Sequence, residues 1–477
     1  MTTVRRCAAV FAATAVLCVA FVPAAAAGGD VPFVPGSTPE PSPATPSLGG
    51  PSPTPSPAPP PSVVIPKGLY GTGDPEYDGV WRQSLAMLGQ FAAGIRPANQ
   101  AIAWLKAQQC ANGAFPAYRA ETRTPCDAQT AVDSNSTAAA VEALSTIGAQ
   151  RPAMQKSLSW LKSVQNADGG WSYTPGTPSD ANSTSLVIGA LTVAGLRPSA
   201  MKSSAGKNAY DALVDFSLPC DVKTGAAKAA DGGDAGGAPG GAPGGGAFAY
   251  QPDKAGKLTA NNDATAAAVL GGLGKRMVTA PVQAGPAPKC LPNKGRTPER
   301  AARNGAAYLA DALAKTGHLD QPPLPGAASG KPLPDPGNTA AAVVALTSAG
   351  YGTKATGALA WLKQNAVPWA EQNGPAAYAQ LILACHATDS DPHHFGGVDL
   401  VQRLNAQGPA PTVVPTPTPS GPSPTAPTPN PTGPRAAIVS ADADNGSSTT
   451  LWLIGVVLVA VIGGGVLFVT LRKSRRP

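Results

Sequence analysis

The stretch from Ser163 to Tyr173, SVQNADGGWSY, decides the fold because the chain contains a second version of it. Residues 157–173 read SLSWLKSVQNADGGWSY, and residues 101–118 read AIAWLKAQQCANGAFPAY. Both pass from Trp-Leu-Lys through a glutamine and a polar, glycine-containing turn to an aromatic residue and a tyrosine. Two such passages indicate an internal repeat, and a repeat of this length is typical of stacked supersecondary units.

A threonine marks the same repeat further along the chain. The spacings between successive copies are 47, 81 and 74 residues, so a unit near 47 residues with insertions accounts for all of them. The long gaps contain a Gly-rich insertion at 225–246 and Pro-rich excursions at 281–298 and 321–336. The four lines are DSNSTAAAVEAL, DANSTSLVIGAL, NNDATAAAVLGG and DPGNTAAAVVAL, which align on Thr137, Thr184, Thr265 and Thr339.

Each of these lines predicts the start of a buried helix. Asn, Asp or Ser at its head can cap the free backbone N–H groups, the alanines favour helix, and a glycine follows as a C-cap. Glu142 is an exception in segments that carry almost no charge, so the helices should be buried nearly all round. The predicted inner helices are Gly79–Gly94, Ser136–Gly148, Ser183–Gly195, Ala264–Gly274, Asn338–Gly350 and Pro375–Ala387.

Lysine-bearing helices alternate with the inner ones and should form an outer, solvated layer. Six short antiparallel hairpins with a buried inner layer favour a closed ring over an open solenoid, because an open array needs polar caps on its end repeats. The predicted outer helices are Ala98–Gln109, Ala153–Gln165, Ser203–Ser217, Pro298–Thr316, Lys354–Asn365 and Gly397–Gln407.

The pattern Trp-Leu-x-x-x-Gln-Asn-x-Asp-Gly-Gly-Trp, followed by Asp-x-Asn-Ser-Thr, resembles the repeat of the terpenoid cyclase and protein prenyltransferase superfamily. The resemblance covers most of residues 67–407 and implies an all-α fold, an α/α toroid of about six helical hairpins. It also implies that the glutamine and the aromatic residue lock an outer helix to its neighbour. Gln165 with Trp171, and Gln108 with Phe115, match these positions.

The two ends of the sequence predict a secreted, membrane-anchored protein. Residues 1–27 combine Arg5 and Arg6 with a short apolar run and small residues, as signal peptides do. Residues 451–471 are uncharged and apolar, long enough to cross a bilayer, and the basic tail 472–477 should stay cytoplasmic. We therefore expect a single-pass protein of the cell membrane whose folded domain is extracellular.

The remaining segments set the domain organisation and the charge. Residues 28–66 and 408–450 are rich in Pro, Ser and Thr and should be extended, the second as a stalk below the folded domain. The chain has 35 basic and 28 acidic side chains, but six of the basic ones lie in the signal and the tail. The near-neutral remainder gives no reason to expect a nucleic-acid partner.

Cysteine usage fits an oxidising compartment. Cys385 lies in an apolar helical run and is expected to be a buried thiol. Pairing cannot be fixed from sequence, but two bridges are expected, one across a loop and one across the flanks of the glycine insertion. They are Cys110–Cys126 and Cys220–Cys290.

Cyclases of the resembled superfamily protonate an alkene with the middle aspartate of Asp-x-Asp-Asp-Thr at the start of an inner helix. Here Asp263 is a weak candidate for that acid, because Asn261 and Ala264 replace the supporting carboxylates. The inner helices also offer Ala, Val, Leu and Ile where a cyclase would have aromatic residues. Capping is the alternative role for these polar residues.

The zinc site of the resembled prenyltransferases has no counterpart, since no Cys occupies an Asp-x-Cys frame at an inner-helix start. The stretch CHATDSDPHH near the C-terminal end of the repeats is the one metal-like cluster, and a polar turn is its alternative interpretation. No cofactor is expected. The weak metal candidates are His386, Asp391, His393 and His394.

The sequence favours a non-catalytic receptor or scaffold whose central pocket holds a small molecule or a cell-wall component. A corrinoid is one specific hypothesis, resting on fold analogy alone. An enzyme acting on an isoprenoid substrate, like a terpene cyclase or a prenyltransferase, is the alternative, and a purely adhesive wall protein is a third. The residues expected to line the pocket are Asp133, Asn135, Asp180, Asn182, Asp263 and Asn338.

Overall fold

The chain is mainly helical, which confirms the predicted all-α class. The computed structural model describes residues 65–148, 151–220, 244–321 and 332–411. Its helices are α1 (Pro75–Ala92), α2 (Asn99–Ala107), α3 (Ser134–Thr146), α4 (Arg151–Ser163), α5 (Ala181–Val193), α6 (Ala209–Asp215), α7 (Asn262–Gly272), α8 (Pro298–Thr316), α9 (Pro336–Ser348), α10 (Gly352–Asn365), α11 (Val367–Asn373), α12 (Pro375–Ala387) and α13 (Leu400–Asn405).

Three pairs of two-residue antiparallel strands precede α3, α7 and α9. In each pair the second strand ends at the residue before the helix, so the hairpin delivers the chain to the helix start. The pairs are β1 (Phe115–Pro116) with β2 (Val132–Asp133), β3 (Phe248–Ala249) with β4 (Ala260–Asn261), and β5 (Leu319–Asp320) with β6 (Pro334–Asp335).

The repeated helices α3, α5, α7 and α9 begin two residues before their predicted starts and are capped as the sequence indicates. A carboxylate or amide oxygen accepts the backbone N–H three residues ahead, at 2.6–2.9 Å, which satisfies one free donor of the first turn. A glycine with positive φ follows each helix, as a C-cap requires. The caps are Asp133, Asp180, Asn261 and Asp335, and the glycines are Gly148, Gly195, Gly274 and Gly350.

The inner helices pack in a circuit. Helix α1 contacts α3, α3 contacts α5, α5 contacts α7, α7 contacts α9, α9 contacts α12, and α12 contacts α1. Most of their side chains are buried, and many of them are alanine, valine or leucine. The prediction of a nearly uncharged, buried inner layer is therefore confirmed.

Glycine and alanine allow these helices to approach closely. A Cβ added at Gly89 of α1 would lie 2.9 Å from the Cβ of Ala379 on α12, and one at Gly271 of α7 would lie 2.8 Å from that of Ser185 on α5. Real Cβ atoms do not come this near, so a larger residue would force the helices apart. The small residues thus set the spacing of the inner layer.

The outer layer differs from its prediction at two of its six helices. Helix α6 begins at Ala209 instead of Ser203, because Asn208 and Asp211 form a reciprocal capping box there. Helix α13 is shorter than predicted at both ends, starting after the capping Asp399. Helix α11 was not predicted, and Gly374 ends it with a φ of 73°.

The repeated threonine binds each of the helices α3, α5, α7 and α9 to the turn before it. Its hydroxyl oxygen accepts the backbone N–H of the repeated aromatic residue, or of Leu319 in the fourth copy, at 2.9–3.0 Å. It also donates back to a carbonyl at or before the helix start. The sequence shows the alignment of these threonines but not this role. The pairs are Phe115 with Thr137, Trp171 with Thr184, Phe248 with Thr265, and Leu319 with Thr339.

The opening stretch proves to be a structural joint. Gln165 Nε2 donates to the carbonyl oxygens of Gly169 at 2.8 Å and Met201 at 3.4 Å, and the buried Trp171 indole N–H donates to Leu161 O at 2.7 Å. Gly169 has a φ of 93° and lies so close to the backbone of Asn208 that no Cβ fits. Only glycine can join the turn to α6 in this way.

One residue of the earlier copy was predicted wrongly. Gln109, not Gln108, reaches the next outer helix, where its Nε2 lies 2.8 Å from Ala153 O and 2.9 Å from Ser157 Oγ. Gln108 instead exchanges hydrogen bonds with the backbone of Arg119. The two adjacent glutamines are equally plausible in sequence, and only Gln109 stands five residues after the repeated tryptophan, as Gln165 does.

Both expected disulfides are present. Cys110 bonds to Cys126, and Cys220 bonds to Cys290. Cys385 is a buried thiol on α12, as expected, and burial raises its pKa to about 12. The two bridges therefore tie the outer turns, while the inner layer relies on packing.

Several predicted segments lie wholly or largely outside the described residues: the signal 1–27, the Pro-rich 28–66, the Gly-rich insertion 225–246, the stalk 408–450, the span 451–471 and the tail 472–477. Within the part of the chain that is described, no helix has the length and apolar character needed to cross a bilayer.

Candidate functional site at the heads of the inner helices

Two of the six predicted pocket residues act as helix caps. Asp133 Oδ1 accepts from Ser136 N, and Asp180 Oδ1 accepts from Ser183 N, both at 2.6 Å. Both side chains are buried. Their first role is therefore to start α3 and α5, which is the alternative that the sequence left open.

Asp180 also joins a group of polar side chains that spans α5 and α7. Asn182 Nδ2 donates to Asp263 Oδ2 across the two helices. The Tyr250 hydroxyl interacts with the Asp180 carboxylate, and Ala181 N donates to Tyr250 O at 3.0 Å. We call Asp180, Asn182, Tyr250 and Asp263 the Asp263 cluster.

The Asp263 cluster contains acceptors that lack a partner. Asn182 is 3% exposed, and its Oδ1 is buried with no hydrogen bond. Asp263 Oδ1 is in the same state. On the neighbouring α3, Asn135 holds the same place in the repeat, two residues before the threonine, and its Oδ1 is also buried and unpaired. Buried polar atoms without partners are rare in folded proteins and call for an explanation.

Burial raises the pKa values of the aspartates at this end of the helices. The pKa of Asp263 rises to about 7, and the nearby Asp335 and Asp180 add to the effect, while the bond from Asn182 opposes it. Burial also raises the pKa of Asp133 to about 7 and that of Asp180 to about 6. No lysine or arginine among the described residues contributes to any of these shifts.

Asn338, the last predicted pocket residue, is tied to its own helix cap. Its Nδ2 donates to Asp335 Oδ2 at 2.7 Å, and its backbone N donates to Asp335 Oδ1 at 2.9 Å. Asp335 and Tyr250 belong to the environment of Asp263 but were not among the predicted site residues. Tyr250 lies at the equivalent place to Tyr173, two residues after the repeated aromatic residue, and that spacing is the signal that identifies it.

The expected open pocket at the helix heads differs from what the structure shows. Asn135, Asn182, Asp133 and Asp180 are buried instead of lining an exposed surface. The reason is the close approach of the small-residue inner helices, which leaves the unpaired oxygens out of contact with solvent. A ligand can reach them only if a covering side chain moves.

The other end of the inner layer is crossed by the chain itself. Residues 275–285, the crossing segment, follow α7. Met277 N donates to Glu142 Oε2 on α3 at 2.9 Å, and Gly285 N donates to Gly350 O, at the end of α9, at 2.7 Å. Helices α3 and α9 are not neighbours in the circuit, so the segment runs across the C-terminal ends of the inner helices.

Glu142 is 1% exposed and anchors this crossing. Burial raises its pKa well above the usual range, and Arg276 in the crossing segment opposes that shift. A Cβ at Gly189 of α5 would collide with Glu142 Oε1. Gly189 therefore makes the room in which the carboxyl group sits.

The weak metal candidates lie in the turn after α12. His394 Nδ1 contacts Asp391 Oδ2 at 2.5 Å, and His393 Nδ1 contacts Asp399 Oδ2 at 2.9 Å, in two separate pairs. His386 is directed elsewhere, toward the backbone at Ala92. No group of three or more metal-ligating side chains occurs in the described ranges.

A cavity of about 820 Å³ lies away from the predicted residues, between the C-terminal ends of α5 and α7 and the N-terminal parts of α6 and α8. Tyr210 and Arg197 line it, and so do Arg296 and Asp215, which pair with each other. Its lining is open and of mixed charge, and none of the six predicted pocket residues contributes to it.

Comparison with known proteins identifies no family and finds a distantly similar solved structure. No family model matches the chain, and no curated protein matches it. Among solved structures, the crystal structure of a protein from Actinoplanes is similar with a TM-score of 0.40 and 16% sequence identity. That similarity covers 68% of this chain and 93% of the other.

Proposed function

We propose that residues 67–407 form an α/α toroid that serves as a non-catalytic binding protein at the outer face of a cell membrane. The circuit of contacts from α1 through α12 back to α1 supports the toroid. The signal-like residues 1–27 and the apolar residues 451–471 support secretion and anchoring. Under this proposal the Pro-rich residues 408–450 hold the domain away from the bilayer.

The observation that carries the binding function is the pair of unpaired acceptors in the Asp263 cluster. Leaving a buried polar atom without a partner costs about 1–3 kcal/mol. The side chains of Asn182 and Asp263 leave two such atoms side by side on adjacent inner helices. A ligand that donates to both would recover that free energy on binding, so the arrangement favours a binding site over a purely structural one.

One end of the toroid suits this function better than the other. The crossing segment covers the C-terminal ends of the inner helices, so access there is blocked by backbone. At the N-terminal ends the exposed Tyr250 lies against the cluster, and a side chain moves more readily than a segment of backbone. The ligand therefore enters past Tyr250.

An enzyme acting on an isoprenoid substrate is the second candidate, and a single observation favours it. Asp263 occupies the acid position, and with a pKa of about 7 it is partly protonated at neutral pH. The same raised pKa makes it a weak acid, whereas protonating an alkene demands a strong one. Binding without turnover accounts for the site better.

The test is a thermal-shift screen of the purified full-length chain against a corrinoid, a polyprenyl diphosphate and soluble cell-wall fragments. Wild type, Asp263→Asn and Asp311→Asn are compared. Asp311 is a partly exposed aspartate of α8 that is not among the groups acting on Asp263, so its variant controls for the change of charge.

The proposal expects at least one compound to raise the melting temperature of wild type and Asp311→Asn, less so that of Asp263→Asn, with no product formed. If a product forms from the polyprenyl diphosphate with wild type but not with Asp263→Asn, the protein is an enzyme and the proposed non-catalytic function is wrong. A panel with no effect on any variant would remove the binding function.

A further inference from the structure

We propose that the Asp263 cluster recognises a small molecule through a primary ammonium group. This inference rests on the proposed binding function and names the chemistry of its ligand. With Asp263 ionised, Asn182 Oδ1 and Asp263 Oδ1 are both unpaired acceptors, so the partner they lack is a donor. An ammonium group has three donors and no acceptor, which suits a site whose unpaired atoms are all oxygens.

The orientation of Asn182 is fixed by its contact with Asp263. Its Nδ2 donates to the carboxylate, so its Oδ1 is the atom that remains free. Against the ionised carboxylate, a flipped amide would place two oxygens against each other. The 3% exposure of Asn182 means that solvent does not satisfy that oxygen. With Asp263 ionised, the hydrogen bond from Nδ2 therefore leaves acceptors as the free atoms of the site.

The charge balance around the cluster points to a cation. Asp263 is influenced by Asp180 and Asp335, and Asp180 by the hydroxyl of Tyr250, while no basic side chain of the described residues acts on either carboxyl group. No ion pair in the described ranges involves Asp133, Asp180, Asp263 or Asp335. Buried carboxylates are normally paired with a positive charge or neutralised. An ammonium ligand would supply that charge.

Tyr250 adds a face for the same ligand. Its side chain is 42% exposed and its hydroxyl interacts with Asp180, so part of the ring faces solvent beside the carboxyl groups. An aromatic face next to carboxylates attracts an organic cation. The unpaired oxygens are buried, so under this proposal the neighbouring Tyr250 ring turns aside for the ammonium group to reach Asn182 and Asp263.

The test uses isothermal titration calorimetry on the full-length chain with two matched probes, 1,5-diaminopentane and 1,5-pentanediol. They have the same length, and only the first carries ammonium groups. The titrations are run at one ionic strength on wild type, Asp263→Asn and the control Asp311→Asn. A parallel titration with potassium chloride measures any response to an inorganic cation.

We expect the diamine to bind wild type and Asp311→Asn alike, and the diol to bind at least about tenfold more weakly, since it cannot form charge-assisted hydrogen bonds. We expect Asp263→Asn to lose at least about tenfold in affinity for the diamine. Burial raises the pKa of Asp263 to about 7, so cation binding at pH 7 should ionise it and release protons. Titrations in Tris and in phosphate should then differ in heat more for wild type than for Asp263→Asn, in which only Asp180 of the cluster can still release a proton.

Asn182→Leu gives a second, independent measurement, because it removes the free acceptor and keeps the carboxyl group. This substitution should also lower the affinity for the diamine, and it tests the inference by itself if Asp263→Asn does not fold. Equal binding of the diol, a potassium response as large as that of the diamine, or full affinity in both variants would overturn the inference. If an uncharged or anionic compound from the thermal-shift panel binds in a way that depends on Asp263, recognition through an ammonium group is refuted. The proposed binding function is then retained. No binding by any compound would remove both.

Discussion

The two ends of the inner layer each contain a buried carboxyl group with an unpaired oxygen, and their surroundings differ. At the C-terminal ends Glu142 accepts a backbone N–H from Met277 and has Arg276 nearby. At the N-terminal ends Asp263 receives only the amide of Asn182 and has no basic neighbour in the described residues. The chain supplies a partner for the first carboxyl group and a charge to balance it, which makes Glu142 structural. It supplies no charge for the second, which is what a binding site requires.

The largest effect on stability is expected from a substitution at the C-terminal ends of the inner helices. Glu142→Ala removes the anchor of the crossing segment, leaves Met277 N–H without its acceptor and opens a cavity. Lost hydrogen bonding and lost packing together should lower the free energy of unfolding by about 3 kcal/mol or more. Urea unfolding at pH 7 measures the change. A loss below about 1 kcal/mol would mean that the segment is held by other contacts.

Gly189→Ala should have the next largest effect. The added methyl group collides with Glu142 Oε1, and overpacking of this kind costs about 1–3 kcal/mol. In the Glu142→Ala background the space is free, so the same substitution should cost much less. A double-mutant cycle by urea unfolding gives this coupling. Additive losses would show that the two side chains do not meet.

Tyr250→Phe should have the smallest effect on stability. It tests the other end of the inner layer, where the Asp263 cluster lies. It removes the hydroxyl that interacts with the Asp180 carboxylate, an interaction worth about 1 kcal/mol, and keeps the ring. Released from Asp180, the ring should turn aside more readily, so diamine association in stopped flow should be faster than in wild type. Slower association with unchanged stability would show that the hydroxyl does not hold the ring over the site.

The fold was largely predictable because its repeat consists of capped helices made of small, uncharged residues. The alignment on Thr137 and its equivalents placed the inner helices within a few residues, since capping and helix propensity are local properties. Helix α11 was not predicted because a single residue, Ala366, separates it from α10, and alanine is not a polar capping residue that would mark a helix start. The start of α6 depends on a reciprocal cap between Asn208 and Asp211, which a threonine-based alignment does not weigh.

The site was less predictable, for a physical reason. Sequence position identified Asp263 and Asn182, but their contact depends on the approach of α5 and α7, which Gly271 and Ser185 permit. The role of Glu142 depends on the crossing segment, which comes from an excursion between repeats. Whether a buried polar atom has a partner depends on geometry between helices, and periodicity along the chain does not contain it.

The most direct test of the account is the pH dependence of the difference in unfolding free energy between wild type and Asp263→Asn. The folded-state pKa of Asp263 is about 7, above its unfolded value, so the folded state binds the extra proton between these values. Wild-type stability should then fall relative to Asp263→Asn as the pH rises toward 7, and level off above it. Urea unfolding from pH 5 to pH 8 measures this difference. A flat difference, or one that favours wild type as the pH rises, would show that the carboxylate has a counter-charge within the chain and would contradict the account.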